Sequence, residues 1–176
     1  MGNLDDGDCV PAFVSHIEMV HGLAHASSWK KLLYRTGFVV PTNTLTLDDY
    51  HAYLATLGEK GNDVGVDPSN YLAYLKTRGQ IKDWGSSALD EASVRETMAS
   101  KVGCGLTLEL TPRAYNRVYD HLPWDISPGD KPDPSLYHEV ALVAYGENYG
   151  VVTWGQMKTM TPLFLNTCIR GCNWFQ

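Results

Sequence analysis

The sequence predicts an α+β fold in which an N-terminal helical part carries a cysteine at a helix start and packs on a C-terminal antiparallel β-sheet. Three observations lead there. Behind Cys9 the apolar residues Val10, Phe13, Val14, Ile17 and Val20 recur at helical spacing. From Val102 to Leu110 the pattern switches to alternation, with Leu106, Leu108 and Leu110 on one side and Thr107 and Glu109 on the other. Later, His138–Tyr145 and Gly150–Trp154 read as two strands joined by a turn at Glu147-Asn148. A length of 176 residues suits one domain over 1–176, helical to about residue 101 and strand-rich from about residue 102.

Each element has a local reason. Val10 to Ala26 reads as an amphipathic helix, and its histidines, His16, His21 and His25, fall mostly on the solvated side. Thr46 to Leu57 is a second helix, with Thr46 as cap, Asp48 and Asp49 in the first turn and Gly58 at the end. Asp67-Pro68 starts a third, Asn70 to Lys76, which Gly79 ends. Leu89 to Lys101 is another, capped by Asp90. Pro123 to Pro134 is a Pro/Gly/Asp-rich loop ahead of the His138 strand. Both faces of that strand are apolar, which predicts a central place in the sheet. Thr161-Pro162 opens a last short helix, and Asn173 to Gln176 reads as a final edge strand.

Composition narrows the function. Apolar residues make up 44% and charged residues 19%, the balance of a chain with a packed core. A net charge of −6 with scattered Lys and Arg argues against nucleic acid as partner. No apolar run approaches the roughly 20 residues that span a bilayer, so no membrane insertion is expected. The polar, acidic start from Asn3 to Asp8 is unlike a secretory signal peptide. Val102-Gly103-Cys104-Gly105 leads into a strand and lacks the helix that a phosphate loop requires.

Cys9, Cys104, Cys168 and Cys172 are too few and too irregular for a disulfide scaffold, and they fit a reducing compartment during synthesis. Cys168 and Cys172 lie four apart and share a face if that stretch is helical. They read as buried structural thiols, and neither a metal nor another cofactor is expected.

Cys9 and His138 together carry the chemistry. The thiolate is the nucleophile, and a free thiol has a pKa of about 8.5. A helix N-terminus and a neighbouring imidazolium both lower that value. A histidine brought against the cysteine also moves the proton. The oxyanion formed on attack needs donors, which the cysteine's own N–H and a nearby side-chain amide supply.

Asn3 stands six residues before Cys9. His138-Glu139-Val140-Ala141-Leu142-Val143-Ala144-Tyr145-Gly146 opens a hairpin that closes on Trp154-Gly155. On these residues the chain resembles the papain-like cysteine peptidase superfamily. It is most similar to small papain-like domains encoded by tailed bacteriophages and prophages. Those carry Gly-Asp-Cys early, here Gly7-Asp8-Cys9, and Val-Val-Thr-Trp-Gly late, here Val151 to Gly155. Met160-Thr161, Phe164 and Cys168 follow in the same order. The resemblance covers the two ends of the chain, and the middle, roughly Ser27 to Pro134, corresponds only by order.

The resemblance implies Cys9 as nucleophile, His138 as proton shuttle, Asn3 as oxyanion donor and Trp154 packed over the histidine on the substrate-binding side. It also implies an Asn or Asp that orients the histidine. Matching the Trp-Gly pairs puts Val152 there, and counting through the hairpin from His138 puts Trp154 there. Neither side chain accepts a hydrogen bond from the imidazole, and Thr153 is the nearest that does.

Two functional expectations follow. One is a cysteine hydrolase that cleaves a peptide or amide bond through a thioester, with a protein or peptide as substrate. The other is a structural virion protein, such as a capsid decoration, a tail protein or a head–tail accessory, with other virion proteins as partners and an oligomer allowed. Either is synthesised in the host cytoplasm, and the virion is a further destination.

Overall fold

Asp8 sets the start of the first helix: its carbonyl accepts the Ala12 N–H at 2.8 Å. In the computed structural model, which describes residues 7–25, 27, 43–59 and 65–176, α1 runs Cys9–His25. Pro11 falls in its first turn, where a missing N–H costs no hydrogen bond. Val10, Phe13, Val14 and Ile17 are buried along one stripe. His16 is buried too, which corrects the expected solvated side; His21 is half-buried, and the side chain of His25 lies outside the described residues.

The helix α2 spans Asn43–Thr56. Thr46 is therefore no cap but a buried side chain inside the helix, its hydroxyl 3.0 Å from that of Ser15 on α1. Packing on α1 places the helix start three residues earlier than cap chemistry suggests. Gly58 ends α2 with φ +78°, and the Glu59 N–H reaches back to the Leu54 carbonyl. The helix α3, Pro68–Thr77, has Asp67 as N-cap, accepting from the Asn70 N–H at 2.9 Å.

The chain then alternates strands with short helices: β1 Trp84–Ser86, α4 Glu91–Ser100 capped by Asp90, β2 Gly103–Glu109 and α5 Pro112–Asn116 capped by Thr111. Next come β3 Tyr137–Tyr145, β4 Tyr149–Thr153, β5 Gln156–Met160, α6 Pro162–Cys168 capped by Thr161, and β6 Ile169–Phe175. One antiparallel six-stranded sheet results, in the order β1-β6-β2-β3-β4-β5. The fold is thus α+β, a helical N-terminal part followed by this sheet. No helix among the described residues is long and apolar enough to cross a membrane.

Both faces of the sheet are covered. Phe13, Val14 and Ile17 of α1 pack with Ala141 of β3 and Phe175 of β6 on one face. Leu106, Leu108, Val140 and Leu142 pack with Trp124, Phe164 and Leu165 on the other. The alternation of β3 divides its side chains between these two cores.

The end of the chain corrects the sequence expectation. β6 is longer than Asn173 to Gln176, and it lies inside the sheet between β1 and β2 rather than at an edge. Its sequence, Ile-Arg-Gly-Cys-Asn-Trp-Phe, holds a glycine and polar residues that lower strand propensity. Gly171 is needed there: a Cβ would lie 2.7 Å from the Thr107 hydroxyl on β2. Cys168 closes α6 and Cys172 lies in β6, so the two do not share a helix face. Instead Cys172 Sγ lies 3.5 Å from Cys104 Sγ across the strands, both buried.

Candidate functional site

Cys9 is the first residue of α1, as its place after Asp8 predicts. Its backbone belongs to the helix turn whose N–H groups have no intrahelical partner. The residue keeps some surface, while the sulfur is turned inward, near the backbone N–H groups of Glu139 and Val10. Burial pushes the thiol up to about 11; the two N–H groups oppose this, and the Glu139 and Asp8 carboxyls reinforce it. The helix start therefore does not by itself yield a thiolate at neutral pH. Asn3 lies outside the described residues.

His138 is the second residue of β3 and is buried. Its Nε2 is hydrogen-bonded to the Thr153 hydroxyl on β4. Thr153 can take an Nε2–H or donate to a bare Nε2, so the contact serves either tautomer. Trp154 lies flat on the imidazole, with ring centroids 3.8 Å apart and planes 7° apart. Burial draws the histidine down to about 3, so the ring is neutral at pH 7.

The turn between β4 and β5 explains how Trp154 gets there. Thr153 pairs with Gln156, which leaves Trp154-Gly155 as a two-residue connection with φ +44° and +73°. Such a turn requires left-handed backbone at both positions, a strained geometry for tryptophan. Edge contacts to Tyr115 and Trp124, at 6.1 and 6.3 Å between centroids, fix the indole from its other sides.

Glu139, which motif spacing did not single out, completes the site. It faces α1 with Ala141, opposite to His138, and is buried. Its Oε2 accepts from the Thr107 hydroxyl at 2.6 Å, while Oε1 has no hydrogen-bond partner among the described residues. Burial pushes this carboxyl up to about 8; the Thr107 hydrogen bond pulls the other way, and Cys172 and Asp67 add a further rise. The signal was present in the sequence as a single charge inside an apolar strand.

Strand β3 does not bring the Cys9 sulfur and the His138 ring together: Cys9 packs with the α1 core on the Glu139 side, and the ring stacks on Trp154 at the core of the other side. The sulfur meets the N–H that follows His138, while the ring turns to Thr153 and Trp154. Among the described residues no hydrogen bond joins the sulfur to the ring, and Nδ1 is the ring nitrogen not engaged by Thr153. Val152, one of the two positions expected for the orienting residue, lies with the α1 core instead. No family model matches the chain, and no curated protein matches its sequence.

Proposed function

We propose that this chain is a papain-like cysteine hydrolase, phage-encoded, that cleaves a peptide or amide bond through a thioester. The observation that supports it best is the held histidine: Nε2 on Thr153 and the ring under Trp154, one residue from the N–H that holds the Cys9 sulfur. An imidazole fixed on one nitrogen presents the other for proton transfer.

Both groups are neutral at rest, so the nucleophile forms during attack. Because the ring and the sulfur lie on opposite sides of β3, the Cys9 proton reaches Nδ1 of His138 through water as the sulfur adds to the substrate carbonyl. The oxyanion accepts from the Cys9 N–H and the Asn3 amide. Nδ1 returns its proton to the leaving amine, and water, activated by the same nitrogen, hydrolyses the thioester. Trp154 borders the substrate on the histidine side.

The test is labelling of Cys9 by a peptidyl vinyl sulfone, read by mass spectrometry. Wild type forms one adduct at Cys9, and His138→Ala slows it by about 10²–10⁴-fold, the range for a lost general base. Equal labelling of both proteins contradicts the reading.

The elevated Cys9 thiol favours a second reading, a papain-like fold kept as a structural virion protein. That reading predicts no adduct at Cys9 in either protein and association with other virion components.

A further inference from the structure

The hydrolytic scheme above leaves Glu139 without a task, yet the fold makes room for it at some cost. Gly105 lies on β2 opposite Ala141, diagonal to Glu139, and a Cβ there would come 2.5 Å from Glu139 Oε1 and 2.7 Å from the Phe13 ring. Thr107, two residues on, holds Oε2. Oε1 stays without a hydrogen bond in a buried site, an arrangement that a structural role alone does not favour. Cys9 packs in the same core as Ala141 and Phe13, on the side of β3 that Glu139 faces, and the Glu139 N–H lies toward its sulfur.

We propose that Glu139 is a positioning residue for this site: its N–H holds the Cys9 sulfur, and the charge of its carboxyl sets how readily Cys9 reacts. The inference rests on the reading of Cys9 as nucleophile. Two negative charges close together in a poorly solvated site disfavour one another. A neutral Glu139 permits thiolate to form, and an ionised Glu139 suppresses it. The other titratable groups acting here are acids as well: Asp8 beside Cys9, Asp67 ahead of α3, Cys172 on β6 and Cys104 on β2. Asp8 adds to the suppression, Asp67 and Cys172 hold Glu139 neutral to higher pH, and Cys104 is itself raised by Glu139.

The consequence is a break in the reactivity of Cys9 with pH. Thiol reactivity normally climbs with pH as thiolate forms. Here the climb flattens near pH 8, where Glu139 ionises. Glu139→Gln keeps an oxygen for the Thr107 hydroxyl and removes the charge. Iodoacetamide labelling of Cys9 above pH 8 then rises about tenfold, the effect of one pKa unit, and the break disappears. Thr107→Val removes a hydrogen bond that favours the carboxylate, so the break moves to higher pH.

A Glu139→Gln protein that melts earlier but labels with the wild-type profile overturns the inference, as does a Thr107→Val profile that does not move. The two readings separate cleanly. Dependence on His138 without dependence on Glu139 sinks the inference and leaves the hydrolase standing. Dependence on Glu139 without dependence on His138 does the reverse.

Discussion

The two sides of β3 at residues 138 and 139 are finished to different degrees. On one side His138 has a hydrogen bond, a stacked indole and a buried, neutral ring. On the other side Glu139 keeps an oxygen without a partner beside a thiol that burial holds protonated. Packing alone completes both sides of a strand; a polar group left incomplete next to a thiol marks the side where chemistry is proposed. The contrast also shows why a helix N-terminus is not enough: the dipole and two N–H groups do not outweigh the desolvation of Cys9.

The largest effect that separates the sides is in stability against pH. His138 falls from 6.5 to about 3 on folding, so the unfolded chain binds its proton first and stability is lost as pH drops below 6.5. Glu139 rises from 4.5 to about 8, so the unfolded chain gives up its proton first and stability is lost as pH climbs above 4.5. The two losses balance between those values, which places the stability maximum contributed by this pair between pH 4.5 and 6.5. Moving from the middle of that range to pH 8 costs on the order of 3 kcal/mol through Glu139, of which His138 returns about half over the same span. Urea melts across pH check this: Glu139→Gln flattens the alkaline limb, and a maximum at pH 8 or above breaks the comparison.

Next in size is the indole. Trp154→Ala removes the stack on His138 and the edge contacts to Tyr115 and Trp124, and costs about 2–4 kcal/mol. It also admits water to the imidazole, so His138 titrates closer to 6.5. A stability loss with no change in that titration shows that Trp154 is only core.

A smaller effect belongs to the hydroxyl. Thr153→Val leaves Nε2 of His138 without a partner in a buried site, a loss of about 1–3 kcal/mol. Labelling of Cys9 falls with it, while Thr153→Asn restores an acceptor and the rate. Unchanged labelling in both variants shows that the hydrogen bond does not serve Cys9.

Much of this arrangement was legible in the sequence where the cause is local. The apolar stripe of α1, the caps at Asp67, Asp90 and Thr161, and the His138 hairpin each depend on residues within a few positions of one another. Thr153 also came forward as the only polar side chain between Val152 and Trp154. What escaped is long-range. β6 is a strand because β1 and β2 flank it, not because Ile-Arg-Gly-Cys-Asn-Trp favours one. The pairing of Cys104 with Cys172 spans 68 positions. His16 and Thr46 look polar in a local window and are buried by the packing of α1 on its neighbours. The short β5 was missed for a related reason: Gln156–Met160 has no strand signature of its own and is held by the tight turn at Trp154-Gly155. Glu139 needs Gly105 and Thr107, both more than 30 residues away, before its burial makes sense.

The protonation state of His138 tests the central claim most directly. Nitrogen NMR of the imidazole, followed from pH 8 to pH 4 in wild type and in Cys9→Ser, reports both charge and tautomer. The account predicts a neutral ring throughout that range, in both proteins, with Nε2 held by Thr153. An imidazolium at pH 7 that vanishes in Cys9→Ser contradicts it, because that is the signature of a preformed thiolate–imidazolium pair.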